Sequence, residues 1–126
     1  MKPSLFLCSW ILLACNGAGA QNAAAPEFPS EATPITAKQL SERISDKVFA
    51  VRLADGTGWR LQYKASGYFF VNTTTGFNGS GKWTAEEGKL CGELKGAKLT
   101  CNEVRQTADA IYLKRDSGEI IRLASQ

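Results

Sequence analysis

The sequence predicts a mainly β domain: an antiparallel up-and-down barrel, or a strongly curved sheet, of about eight strands with one short N-terminal helix. Three observations predict it. From Val48 onward apolar and polar residues alternate in short runs, the period of a half-buried strand. Glycine-bearing turn signals interrupt these runs every eight to twelve positions or so, as they do when hairpin follows hairpin. A single stretch ahead of them carries a helix start.

That stretch begins at Ile35. Thr36 is placed as N-cap, Gln39 three residues on is its capping-box partner, and Ile35 can staple onto Leu40. Leu40 and Ile44 then share one face, so a short helix reaching about Asp46 can lie on a core but cannot stand alone.

The expected strands are 48–53, 59–64, 68–72, 81–85, 89–94, 98–105, 110–115 and 119–123. Folding the first pair about Gly56 matches Phe49 with Tyr63, Val51 with Leu61 and Leu53 with Trp59, an apolar face. It also sets Arg52 opposite Arg60, a like-charge pairing that implies a shifted register or a shared anionic contact. Folding the last pair about Ser117 matches Ile111 with Leu123, Leu113 with Ile121 and Arg115 with Glu119, and it brings Tyr112 to Arg122 for a cation–aromatic contact. The polar stretch Thr73 to Ser80 is expected as the longest loop. Closing eight strands into a barrel removes exposed edges and leaves an interior either filled by side chains or able to hold one small ligand.

Cys91 and Cys101 lie symmetrically about Gly96, so a hairpin turned there opposes them. Opposed residues of a non-hydrogen-bonded antiparallel pair stand about 4.5 Å apart at Cα, near enough for a disulfide. A redox role would need a C-x-x-C spacing or a helix N-terminus to lower a thiol pKa, and the sequence offers neither. In this hairpin Leu99 would fall on the cysteine face and Leu90 and Leu94 on the other, a conflict that a bulge would relieve.

Composition narrows the chemistry. Histidine is absent from the 126 residues, which removes the commonest general base and transition-metal ligand. No metal, cofactor or catalytic residue is expected. Glu86 and Glu87 stand in a turn as a solvated tip, and Gly79 to Gly81 leads into a strand without the Lys-Ser/Thr ending of a phosphate loop. Basic and acidic residues are interspersed rather than clustered, so nucleic acid is not an expected partner. The aromatic residues fill the barrel or, in the alternative, Trp59, Tyr63, Phe70 and Trp83 line a partly open apolar cavity.

The N-terminus reads as an export signal over 1–20: Lys2, then an apolar run from Leu5 to Ala14 too short to span a bilayer, then Ala18-Gly19-Ala20 before Gln21. Cleavage is expected after Ala20. Leu12-Leu13-Ala14-Cys15 also resembles the lipobox of bacterial lipoproteins, in which Cys15 would be the lipid attachment and the only link to a membrane. Residues 21–34 hold three of the four prolines without an apolar period and read as a flexible spacer, so the folded domain is expected over 35–126.

Gly81-Lys82-Trp83-Thr84, the Lys89-Leu90-Cys91 strand, Cys101 with Val104 after it, and the terminal I-Y-L-x-R…G-E-I-I-R-L run together resemble small exported bacterial domains of unknown function that are similar to lipocalin-type, calycin-like barrels. The resemblance covers roughly Leu40 to Leu123. It implies a periplasmic or secreted β domain and transfers no active-site residue. The expected function is a non-enzymatic exported binding module for a small apolar ligand or a partner protein of the bacterial envelope, periplasmic or secreted, or an outer-membrane lipoprotein if Cys15 is acylated. The alternative is an inhibitor or immunity-type protein that blocks an envelope hydrolase or toxin through a loop such as Thr73 to Ser80.

Overall fold

The computed structural model describes residues 27–126. The expected leader, its cleavage after Ala20 and the alternative lipid attachment at Cys15 lie outside the described residues. Helix α1 spans Ala37–Ile44, and nine strands accompany it: β1 Thr33–Pro34, β2 Lys47–Arg52, β3 Gly58–Tyr63, β4 Tyr68–Thr73, β5 Asn78–Glu86, β6 Lys89–Leu94, β7 Thr100–Gln106, β8 Ile111–Lys114 and β9 Ile120–Ser125. Strands β2 to β9 pair antiparallel in sequence order and β9 returns to β2, which closes an eight-stranded barrel. This is the mainly β, up-and-down architecture that the alternation predicts, and the closed antiparallel barrel is consistent with a lipocalin-like form.

Four hairpins share one turn. In 53–57, 64–68, 73–77 and 115–119 the first N–H donates to the fifth carbonyl at 2.7–2.9 Å and the fourth N–H to the first carbonyl at 2.8–3.1 Å. The fourth residue is Gly56, Gly67, Gly76 or Gly118, each with φ of 88–95°, where a side chain would be strained. The apex is therefore the residue before the glycine. This corrects the first hairpin: centred on Asp55 instead of Gly56, it pairs Phe49 with Leu61 and Val51 with Trp59, two residues off the expected register. A shift of two keeps the same residues inward, because side chains alternate with period two. It also separates Arg52, now opposite Gly58, from Arg60, now opposite Ala50.

The last hairpin pairs as expected, with Ile111 on Leu123, Leu113 on Ile121 and Tyr112 on Arg122. Arg115 and Glu119 form the anticipated ion pair. The cation–aromatic contact lies elsewhere, because the Arg115 guanidinium sits 4.9 Å over the Trp59 ring. The stretch Thr73 to Ser80 is not a long loop: 73–77 is one of the tight turns, and Asn78 to Ser80 already belong to β5. Part of the expected spacer is structured as well. Thr33 and Pro34 pair with Gln106 and Arg105 of β7, and Arg105 lies 4.8 Å over the Phe28 ring.

Asp55 supports its turn from outside the ladder. The Thr57 N–H donates to its carboxylate at 2.8 Å, and that bond holds the carboxyl below its ordinary value of 3.8. A lowered folded value means that the stabilisation is complete above the ordinary carboxylate range and is lost as pH falls through the folded value. Thermal unfolding of Asp55→Ala and of the parent chain is expected to differ at pH 7, and the gap should narrow at pH 3. An unchanged gap would show that the carboxylate charge is irrelevant to the turn.

The helix forms where the cap signals place it. Thr36 and Gln39 complete the capping box, with hydrogen bonds of 3.1 and 3.0 Å, and Leu40 and Ile44 are fully buried. Each buried side chain contributes about 2 kcal/mol of apolar transfer. The helix closes one end of the barrel. Glu87, read from sequence as a solvated tip, accepts from the Ala37 N–H at 3.0 Å, at the positive end of the helix. Gly88 N–H donates to the Ile35 carbonyl, and Arg43 donates to the Thr107 carbonyl at 2.8 Å.

Candidate functional site

The end opposite the helix is open. It carries the turns 53–57, 73–77 and 115–119 and the connection 95–99, and between them lies a cavity of about 400 Å³. Its walls are inward-facing positions of the strands: Trp59 and Leu61 of β3, Phe69 and Val71 of β4, Leu90 and Leu94 of β6, and Leu113 and Ile121 of the last hairpin. Tyr63 stands at its floor. The rim is polar, with Lys98, Thr100, Asn102, Arg115, Asp116 and Ser117.

Small residues help leave the space open. The inward positions of β5 nearest the mouth are Gly79 and Gly81, and Leu94, the partner of Gly81 on β6, has Gly92 as its neighbour on the same face. A Cβ on Gly81 would lie 2.0 Å from the Glu93 carbonyl oxygen, so only glycine lets β5 approach β6 this closely. Below the cavity the interior is filled. Tyr63 stacks on Phe69 at 5.8 Å and meets Trp83 edge-on at 5.6 Å and Phe49 at 6.2 Å. Burial pushes the Tyr63 phenol well above its ordinary value of 10.0, so it remains a neutral wall of the site.

Polar contacts hold the rim. Arg115 pairs with Glu119, whose other oxygen accepts from the Ala54 N–H at 3.0 Å. Asn102 donates to the Lys114 carbonyl and to Asp116, both at 3.1 Å. These side chains bridge gaps in the backbone ladder, because β9 pairs with β2 only at Ala50–Ala124 and Phe49–Ser125, and β8 meets β7 only from Val104 onward.

The four aromatic residues expected to line a cavity divide three ways. Trp59 is at the mouth, under Arg115. Tyr63 touches the cavity floor, and Trp83 lies deeper, donating from Nε1 to the Lys64 carbonyl at 2.8 Å. Phe70 is on the outer face and 40% exposed. In Tyr68-Phe69-Phe70-Val71 either parity is apolar, so the run alone does not say which face is inward. Pairing decides: Phe69 and Val71 stand between Tyr63 and Leu61 on one side and Gly81 and Gly79 on the other, whereas Phe70 lies between Gln62 and Ser80. The sequence reading thus missed Phe69, Val71, Leu94 and Leu113 as lining residues, because it weighed only aromatic candidates and the run 68–71 does not show its parity.

Cys91 and Cys101 are directly paired and disulfide-bonded, with Cα atoms 4.0 Å apart. The ladder from Lys89–Glu103 to Gly92–Thr100 is continuous and needs no bulge. The conflict over Leu99 disappears because Leu99 lies in the 95–99 connection and is 60% exposed. Among the described residues no three histidine, cysteine or carboxylate side chains gather into a metal-binding group. The arrangement can enclose a small apolar molecule beneath a polar rim. No family model, curated protein or solved structure matches this chain.

Proposed function

We propose that this protein is an exported, non-enzymatic binding module that takes a small apolar ligand into the open mouth of its barrel. The observation that carries the reading is the cavity of about 400 Å³, walled by aliphatic and aromatic side chains and opening through a polar rim. That size and lining are those of small-molecule sites. The Cys91–Cys101 disulfide is compatible with the oxidising periplasmic or extracellular compartment that the leader implies, and the barrel form supports the lipocalin-type, calycin-like resemblance. The N-terminal mass of the purified mature protein tests export: Gln21 at the terminus supports secretion, and an acylated Cys15 supports an outer-membrane lipoprotein.

Ligand binding is tested by titrating decanol and decanoic acid against tryptophan emission, since Trp59 lines the mouth. A saturable change is expected, and Val71→Trp, which fills the cavity, is expected to abolish it. Absence of any saturable change with either probe would overturn the reading. A protein partner, including a blocked hydrolase or toxin, is the second reading, supported by Phe77 and Leu99, 51% and 60% exposed beside the mouth. In that case Phe77→Ala with Leu99→Ala would abolish co-purification of an envelope protein, whereas Val71→Trp would leave it intact.

A further inference from the structure

A second concave site lies on the outer surface beside the mouth, and its chemistry is different. Here β2 passes between β3 and β9. Its outward positions Ala50 and Arg52 stand beside Arg60 and Gly58 of β3, and Ala50 stands beside Ala124 of β9. Arg122 of β9 lies just past the last paired residues of β2 and β9 and lines the same concavity as Arg52. The three arginines line one groove of about 520 Å³ whose floor is Ala50, Gly58 and Ala124.

The small floor makes the surface concave and leaves the guanidinium groups as its walls. Among the described residues no acidic side chain lines this groove. Among the described residues the ion pairs are Lys38–Glu42, Glu103–Arg105 and Arg115–Glu119, so none uses Arg52, Arg60 or Arg122. Arg52 and Arg60 are diagonal across the β2–β3 pair, a spacing of about 7–8 Å that lets two side chains as long as arginine reach a single oxyanion, and Arg122 lines the same groove. Three like charges at such neighbouring positions repel one another, and an unpaired arginine that merely solvates a surface gains nothing from that spacing. A bound anion with several oxygens converts the repulsion into forked, charge-assisted hydrogen bonds.

We propose that the Arg52–Arg60–Arg122 groove binds a phosphoryl group, carried either by a soluble small molecule or by an anionic lipid headgroup. The two sources share the chemistry and differ in what else is bound. The groove shares Trp59 and Thr73 with the mouth cavity, but Arg52, Arg60 and Arg122 line the groove alone, so their substitution distinguishes failure of this site from failure of apolar ligand binding.

The test uses inorganic pyrophosphate as the soluble probe and phosphatidylglycerol vesicles as the lipid probe, with phosphatidylcholine vesicles as control. Amide chemical-shift titration with pyrophosphate is expected to give saturable shifts confined to β2, β3 and β9 around the groove, weakening as salt is raised. Each of Arg52→Gln, Arg60→Gln and Arg122→Gln is expected to weaken binding about tenfold, from the loss of one charged hydrogen-bond donor. Vesicle co-sedimentation lost in the triple variant, without pyrophosphate shifts, would assign the group to a lipid headgroup. Pyrophosphate binding without sedimentation would assign it to a soluble ligand. All three side chains point outward, so the triple variant should keep the parent's circular dichroism spectrum and thermal midpoint. No binding of either probe, or binding unchanged in the folded triple variant, would overturn the proposal.

Discussion

Replacing Trp83 by alanine is expected to destabilise the barrel by about 4 kcal/mol, a large part of the stability of a domain of this size. Trp83 is 7% exposed and fills the interior between the helix and the mouth. It stands edge-on to Tyr63, which links it to Phe69 and Phe49, and its indole N–H satisfies the Lys64 carbonyl. Truncation removes the apolar burial, leaves a cavity and strips that carbonyl of its partner. Urea unfolding followed by far-ultraviolet circular dichroism measures the loss. Phe70→Ala is the matched comparison, a large aromatic truncation on the outer face of the neighbouring strand, and it should cost within about 0.5 kcal/mol. Equal losses for the two would mean that the inward and outward faces of β4 and β5 had been exchanged.

Removing the disulfide by Cys91→Ala with Cys101→Ala is expected to cost about 3 kcal/mol, the loop-closure term for a loop of this length. For a domain of about a hundred residues, that lowers the thermal midpoint by roughly 12–20 °C. The bridge ties β6 to β7 next to the 95–99 connection, which carries the exposed Leu99. Reductant should lower the midpoint of the parent chain by a similar amount and leave the double variant unmoved. A shift in the variant on adding reductant, or a parent chain insensitive to it, would remove the staple from the account of stability.

Both effects depend on residues that the sequence had singled out, and they show how far such reading reaches. The cap, the helix, the strand count, the cysteine register and the register of the last hairpin were legible because each is a local signal. Thr36 and Gln39 stand three apart, the cysteines are symmetric about Gly96, and Ser117 precedes the glycine that follows its apex. The same apex rule, applied to Asp55 and Gly56, would have corrected the first hairpin. The candidate ligand residues were only half legible. Trp59 and Tyr63 do line the cavity, but Phe70 could not be placed by a run of consecutive apolar residues whose two parities look alike.

By itself, then, the sequence determined an eight-stranded antiparallel domain with one capped helix and one staple, because periodicity, turn chemistry and cysteine symmetry act over a few residues. Only the tertiary structure decided which aromatic residues face inward, which barrel end the helix plugs, and that an arginine from the last strand joins two from the first hairpin. Those outcomes depend on pairing between strands far apart in sequence and on barrel closure. In a closed barrel each strand's inward face is set by both neighbours at once, and a single strand does not carry that information.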